Sequence, residues 1–255
     1  MHKHLRIFIL LLLLLIISVG TLVSDRRITD WSHTLRVVVY PINGDHSPIS
    51  TAYIDDLTKD NFSAINRFLS EELEHYNVSL SEPIDIDLSA IVNELPPKIP
   101  VQGNAFDIML WSLKLRYWAF TRDEYQGPKP EIQLFALYYD PKKSPKIKHS
   151  TGLKKGHMAI INLFADKRQK GSNLFIMTHE LLHTLGATDK YNLATNEPIY
   201  PYGFAEPDLS PLYPQTYAEI MGGRIPINKN TFEIPSSLDK ALIGEQTAKE
   251  IRLIE

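Results

Sequence analysis

The chain has 255 residues, 44% of them hydrophobic and 22% charged, with a formal net charge of -3. This length and balance suit one sizeable globular domain with an ample core, and the mild acidity excludes a broad basic face for nucleic acid. Cysteine is absent, which rules out disulfides, thiolate metal ligands and a cysteine nucleophile.

The N-terminus begins with Lys3 and Arg6 and then runs apolar from Ile7 to Val23, broken only by Ser18, Gly20 and Thr21. A charged start followed by an apolar stretch of this length reads as an export signal or an N-terminal membrane anchor over residues 1–24. Either outcome puts the body on the far side of a membrane, secreted or periplasmic if cleaved and membrane-attached if retained. Residues 25–33 read as a short linker, and 34–255 as a single domain.

Within that domain TLRVVVYPI (Thr34 to Ile42) is a buried strand closed by Pro41 and Asn43-Gly44. Residues 58–76 have helical spacing in Phe62, Ile65, Phe68, Leu69, Leu73 and Tyr76. PIDIDLSAI (Pro83 to Ile91) alternates apolar and acidic residues as a half-buried strand does. Asn104 to Thr121 is a second helix, for which Phe106, Met109, Leu110, Leu113, Tyr117 and Phe120 make the expected core stripe. EIQLFALYY (Glu131 to Tyr139) and HMAIINLF (His157 to Phe164) are strands joined through the basic loop DPKKSPKIKH. Residues 172–186 form a third helix, a Pro- and Tyr-rich loop without a clear period follows to Arg224, and a last helix is expected over Ser237 to Leu253. The order predicts one α/β domain with no internal repeat.

The third helix carries HELLHTLGATD (His179 to Asp189). His179 and His183 are one turn apart on one face, the spacing at which two ring nitrogens reach one metal ion. Glu180 sits at the flank, where it reaches a water held by that ion. Gly186 can end the helix in the left-handed conformation and swing Asp189 back as a third ligand. Glu206 and Glu219 are the alternative third ligands, since a later Glu can serve the same purpose.

HELLHTLGATD resembles the zinc motif of the metzincin metalloproteases, in the Asp-ligand version of snapalysin-like secreted enzymes. Met221 in EIMGGR is similar to the Met-turn of that family. The resemblance implies a zincin-like α+β fold, with a mixed twisted sheet of four to five strands, an active-site helix, a Met-turn and a C-terminal helix. It implies one catalytic Zn2+ on His179, His183 and Asp189, Glu180 as general base, and a peptide or protein substrate hydrolysed at the peptide bond. Many metzincins have a Tyr soon after the Met-turn methionine, whereas Gly222, Gly223 and Arg224 follow here. Tyr191, Tyr200, Tyr202 and Tyr217 are then the candidate oxyanion donors. The competing reading is an exported zinc-containing module that binds peptide or protein without catalysis. An intact Glu180 argues against it, because a structural site has no use for a general base.

Overall fold

Strand β1 (Leu35–Asn43) is buried on both sides, so each face of it must be covered by another layer. It lies inside a five-stranded sheet with β2 (Ile84–Leu88), β3 (Ile132–Tyr139), β4 (Thr151–Leu153) and β5 (Met158–Phe164), in the order β2-β1-β3-β5-β4. All neighbours are parallel except β4, which runs antiparallel to β5 and forms the edge. The computed structural model describes residues 5, 7, 8, 11, 12, 26–100, 103–154 and 156–255. The signal or anchor expected over residues 1–24 lies, apart from those five positions, outside the described residues. Among the described residues no helix is long and apolar enough to cross a membrane.

The alternation of side chains along each strand sorts the core into two layers. Val37, Val39, Leu134, Ala136 and Ile161 face one side, where they meet α2 (Ser63–His75) and α4 (Lys170–Leu185). Val38, Tyr40, Phe135, Leu137 and Ile160 face the other, where α3 (Ala105–Thr121) covers them. Ile28 and Trp31, in the segment read as a linker, are buried in the first layer, and Trp31 Nε1 donates to Ile251 O at 2.9 Å.

The face of α3 corrects the sequence reading. Phe106, Met109, Leu110, Leu113, Tyr117 and Phe120 are all exposed, Phe120 at 81%, and the buried face is Trp111, Leu115, Trp118 and Ala119. This helix is apolar nearly all round, so periodicity could not choose a face. The two indoles offer the larger surface to bury: Trp118 packs edge-on against Phe135 with centroids 4.9 Å apart, and Trp111 Nε1 donates to Pro97 O at 2.9 Å.

A second correction is at the C-terminus. The continuous helix expected over Ser237 to Leu253 is instead a short turn at Leu238–Lys240, strand β9 (Ala241–Leu242) and α5 (Glu245–Glu250). Gly244 interrupts it, and β9 pairs in parallel with β6 (Ala218–Glu219). Of Leu238, Leu242 and Ile251, the residues expected on its inner face, Leu238 and Ile251 are buried and Leu242 is half-buried. Three further elements escape a reading by hydrophobic period. They are α1 (Pro48–Asp55), capped by Ser47 Oγ accepting from Ser50 N, the edge strand β4, and the hairpin β7 (Ile225–Asn228) with β8 (Thr231–Glu233).

Candidate metal centre

Helix α4 is fixed at both ends. At its start Asn173 bonds both ways to the end of β5, accepting from Phe164 N at 3.2 Å and donating to Phe164 O at 2.8 Å. Leu174, Met177, Leu181 and Leu185 are buried in the core. At its end Gly186 takes a φ of 112°, and Gly186 N and Ala187 N both donate to Leu182 O, at 3.1 and 3.0 Å. This left-handed cap turns the chain back beneath the helix. Gly152 of β4 lets the edge strand cross close above it, since a Cβ there would lie 2.4 Å from His183 Cβ and 2.8 Å from Glu180 O.

The two imidazoles are oriented by backbone carbonyls. His179 Nδ1 donates to Ile220 O at 2.9 Å, and His183 Nδ1 donates to Ala187 O at 2.8 Å. A carbonyl only accepts, so each neutral ring carries its proton on Nδ1 and turns the lone pair of Nε2 inward. Those two Nε2 atoms are 3.1 Å apart, and Asp189 Oδ1 lies 3.2 Å from the first and 3.1 Å from the second. Three acceptor atoms thus crowd one point. Three corners of a tetrahedron around an ion with bonds of roughly 2.0–2.1 Å are about 3.3 Å apart, so this triangle has nearly the size that a bound metal requires.

The electrostatics agree. Burial pushes the Asp189 carboxyl up, but His179 and His183 facing it hold it well below the usual carboxylate range. Burial pushes the His179 imidazole down, yet Asp189, Glu180 and the Ile220 carbonyl together hold it above its ordinary value. Both shifts mean that the point between the three atoms favours positive charge. His179, Glu180 and His183 also bring one ligand atom each within 4.8 Å of one another, as a group that could hold a metal ion. Glu180 Oε2 is buried without a hydrogen-bond partner beside the same site, and burial raises its carboxyl above the ordinary value against the pull of His179, His183 and the Gly152 amide. Donor set, spacing and the orphaned oxygen all fit a metal with a water beside it.

Asp189 owes its position to its neighbours. Lys190 Nζ donates to Thr188 O at 2.8 Å and Glu250 Oε2 at 2.7 Å, while Thr188 N donates to the same oxygen at 2.7 Å. Lys190 N donates to Met221 O at 2.8 Å, tying the segment also to the Glu219–Gly222 turn. Met221 is fully buried in that turn. Glu219 is committed elsewhere, accepting from Gly222 N and Thr247 Oγ1, both at 2.6 Å, and from Gly244 N at 3.2 Å. Glu206 accepts from Thr216 N at 2.6 Å within the Pro-rich loop. Neither alternative carboxylate joins the cluster.

Two cavities flank the cluster and share Glu180, Tyr191, His149 and Ser150. One, of about 160 Å³, runs from Glu180 past Phe175 and Ile176 to Arg224; the other, of about 290 Å³, lies over His183 and Asp189 along β4. Tyr191 alone of the four candidate tyrosines lines them, with its ring 6.0 Å from that of His179. Burial, with Asp189 and Glu180 nearby, pushes its phenol up, so it stays a protonated donor. Tyr200, Tyr202 and Tyr217 line neither cavity. The carbonyls of Ile220 and Ala187 and the close crossing of Gly152 carry no sequence signal, because they depend on backbone placement. No protein-family model matches the chain, and a search of curated proteins finds no match either.

Proposed function

We propose that the chain is a zinc-dependent metallopeptidase of metzincin type, with His179, His183 and Asp189 holding the ion and Glu180 as general base. The observation that carries this reading is the convergence of His179 Nε2, His183 Nε2 and Asp189 Oδ1 within 3.1–3.2 Å of each other beside the unpartnered Glu180 Oε2. The five-stranded sheet above α4 and the buried Met221 turn beneath His179 support a zincin-like fold with a Met-turn.

A bound zinc ion would supply Lewis acidity toward a water molecule and toward a carbonyl oxygen. Glu180 accepts the proton of the attacking water and passes it to the leaving amine; its burial makes it a stronger base than a free carboxylate. Tyr191 donates to the oxyanion as it develops. The free edge of β4, which pairs only with β5 among the described residues, accepts an extended peptide as an added strand and lays it across Glu180. The apolar run from Ile7 to Val23 exports the chain or anchors it to the membrane, so the substrate is an extracytoplasmic peptide or protein.

A mixed peptide library incubated with the purified full-length chain tests the proposal. Cleavage that a chelator stops and added zinc restores is the expected result. Zinc bound with no peptide cut would favour the non-catalytic binding module instead.

A further inference from the structure

The cavity that leads from Glu180 to Arg224 has a chemistry that the hydrolytic step leaves unused. Arg224 follows Gly223, whose φ of 75° turns the chain out of the Met221 turn and sets the arginine on the cavity wall. Its guanidinium is half-buried, and among the described residues it forms no ion pair or hydrogen bond. Glu233, opposite Ile225 on the neighbouring strand, is exposed and does not pair with it. Burial pushes the guanidinium down from its ordinary value. A partly desolvated cation without a counter-charge is costly to a fold, and an anion arriving from outside would offset that cost.

The rest of the wall adds basic side chains. Lys148 and His149, from the basic loop before β4, line this cavity, while Phe175 and Ile234 supply apolar sides. Glu180 is the one acidic side chain among the lining residues, and it faces the imidazoles of His179 and His183. At about 160 Å³ the space is ample beside the roughly 10–15 Å³ that one water needs and suits a single side chain.

We propose that this cavity is a carboxylate-binding subsite, in which the planar fork of Arg224 pairs with an acidic group of the peptide next to the bond that is cut. The inference rests on the metallopeptidase reading. The carboxylate has two possible sources, an Asp or Glu side chain or the C-terminal carboxylate of a short peptide, and the two give one chemistry.

Matched N-acetylated peptides test it, differing as Glu against Gln at each position beside the cut, and as free acid against C-terminal amide. The wild-type chain is expected to prefer one acidic member by about 10- to 100-fold in kcat/KM, the factor set by a charge-assisted hydrogen bond. Arg224→Gln should bring that ratio near one, and Arg224→Lys should restore part of it, at equal metal content. A preference in the Glu/Gln pair identifies the side chain, and one in the acid/amide pair identifies the terminus. Ratios near one in the wild type, or a preference that Arg224→Gln leaves intact, would overturn the subsite. If no peptide is cut, the peptidase reading fails, and calorimetry of the same peptides on the zinc-loaded Glu180→Gln chain decides the subsite separately. A preference for acid that Arg224→Gln abolishes supports it; equal binding of acid and neutral members overturns it.

Discussion

His183 Nε2 lies 3.1 Å from His179 Nε2, while each ring gives its Nδ1 proton to a backbone carbonyl. Two lone pairs held face to face, with Asp189 Oδ1 completing the triangle, repel one another unless a cation sits between them. The helix period sets the spacing of the rings, and the Gly186 turn and the Met221 turn supply the carbonyls that aim them.

Removing the third acceptor should therefore weaken metal binding. Asp189→Ala is expected to weaken zinc binding by more than ~100-fold, beyond the range for losing an outer-shell partner. Glu206→Ala should leave the affinity unchanged, since that carboxylate serves Thr216 N. Titration of zinc against a competing chelator measures both. Loss of zinc in the Glu206 variant alone would reassign the ligand.

Glu250 acts on the same site from a distance. It clamps Thr188 and Lys190 on either side of Asp189, and the Lys190 side chain is 7% exposed. Glu250→Ala leaves that ammonium with only its Thr188 acceptors, at an expected cost of about 1.5–3 kcal/mol for the lost charge-assisted bond. It should also lower zinc affinity by about 10-fold through a loosened Asp189. Urea unfolding and zinc titration read the two effects.

How much of this was legible in the sequence follows from what each feature depends on. His179, Glu180 and His183 could be placed because helical period alone sets their face, and Asp189 because Gly186 announces the turn that returns it. The order of the main strands and helices could be read for the same reason. The Ile220 and Ala187 carbonyls, the Lys190–Glu250 clamp and the unpaired state of Arg224 arise from contacts between distant segments. Helix α3 shows the limit most clearly. With apolar residues on every side, its Phe/Met/Leu stripe and its Trp111/Leu115/Trp118 face were equally periodic, and only the fit of the indoles against Phe135 decided between them.

A pH effect on stability should come from Glu72, away from the cluster. Burial, with Glu71 and Glu219 adding to it, raises its carboxyl from 4.5 to about 7 despite the bond from Ile243 N at 2.7 Å. Between those two values the folded chain binds the proton more tightly than the unfolded chain does. The stabilisation is thus fully present below about pH 4.5 and is lost as pH rises through about 7. Glu72→Gln keeps an acceptor oxygen for Ile243 N and removes the titration. Its urea midpoint should fall less than that of the wild type between pH 5 and pH 7.5. Parallel curves for the two chains would contradict the assignment.

The most direct measurement compares the wild-type chain with Glu180→Gln for zinc content and peptide turnover in the same samples. Equal zinc in both is expected, with a loss of turnover of about 10²- to 10⁴-fold in the variant, the range for a general base. Undiminished turnover with zinc in place, or a wild-type chain that holds zinc and cuts nothing, would contradict the proposed function.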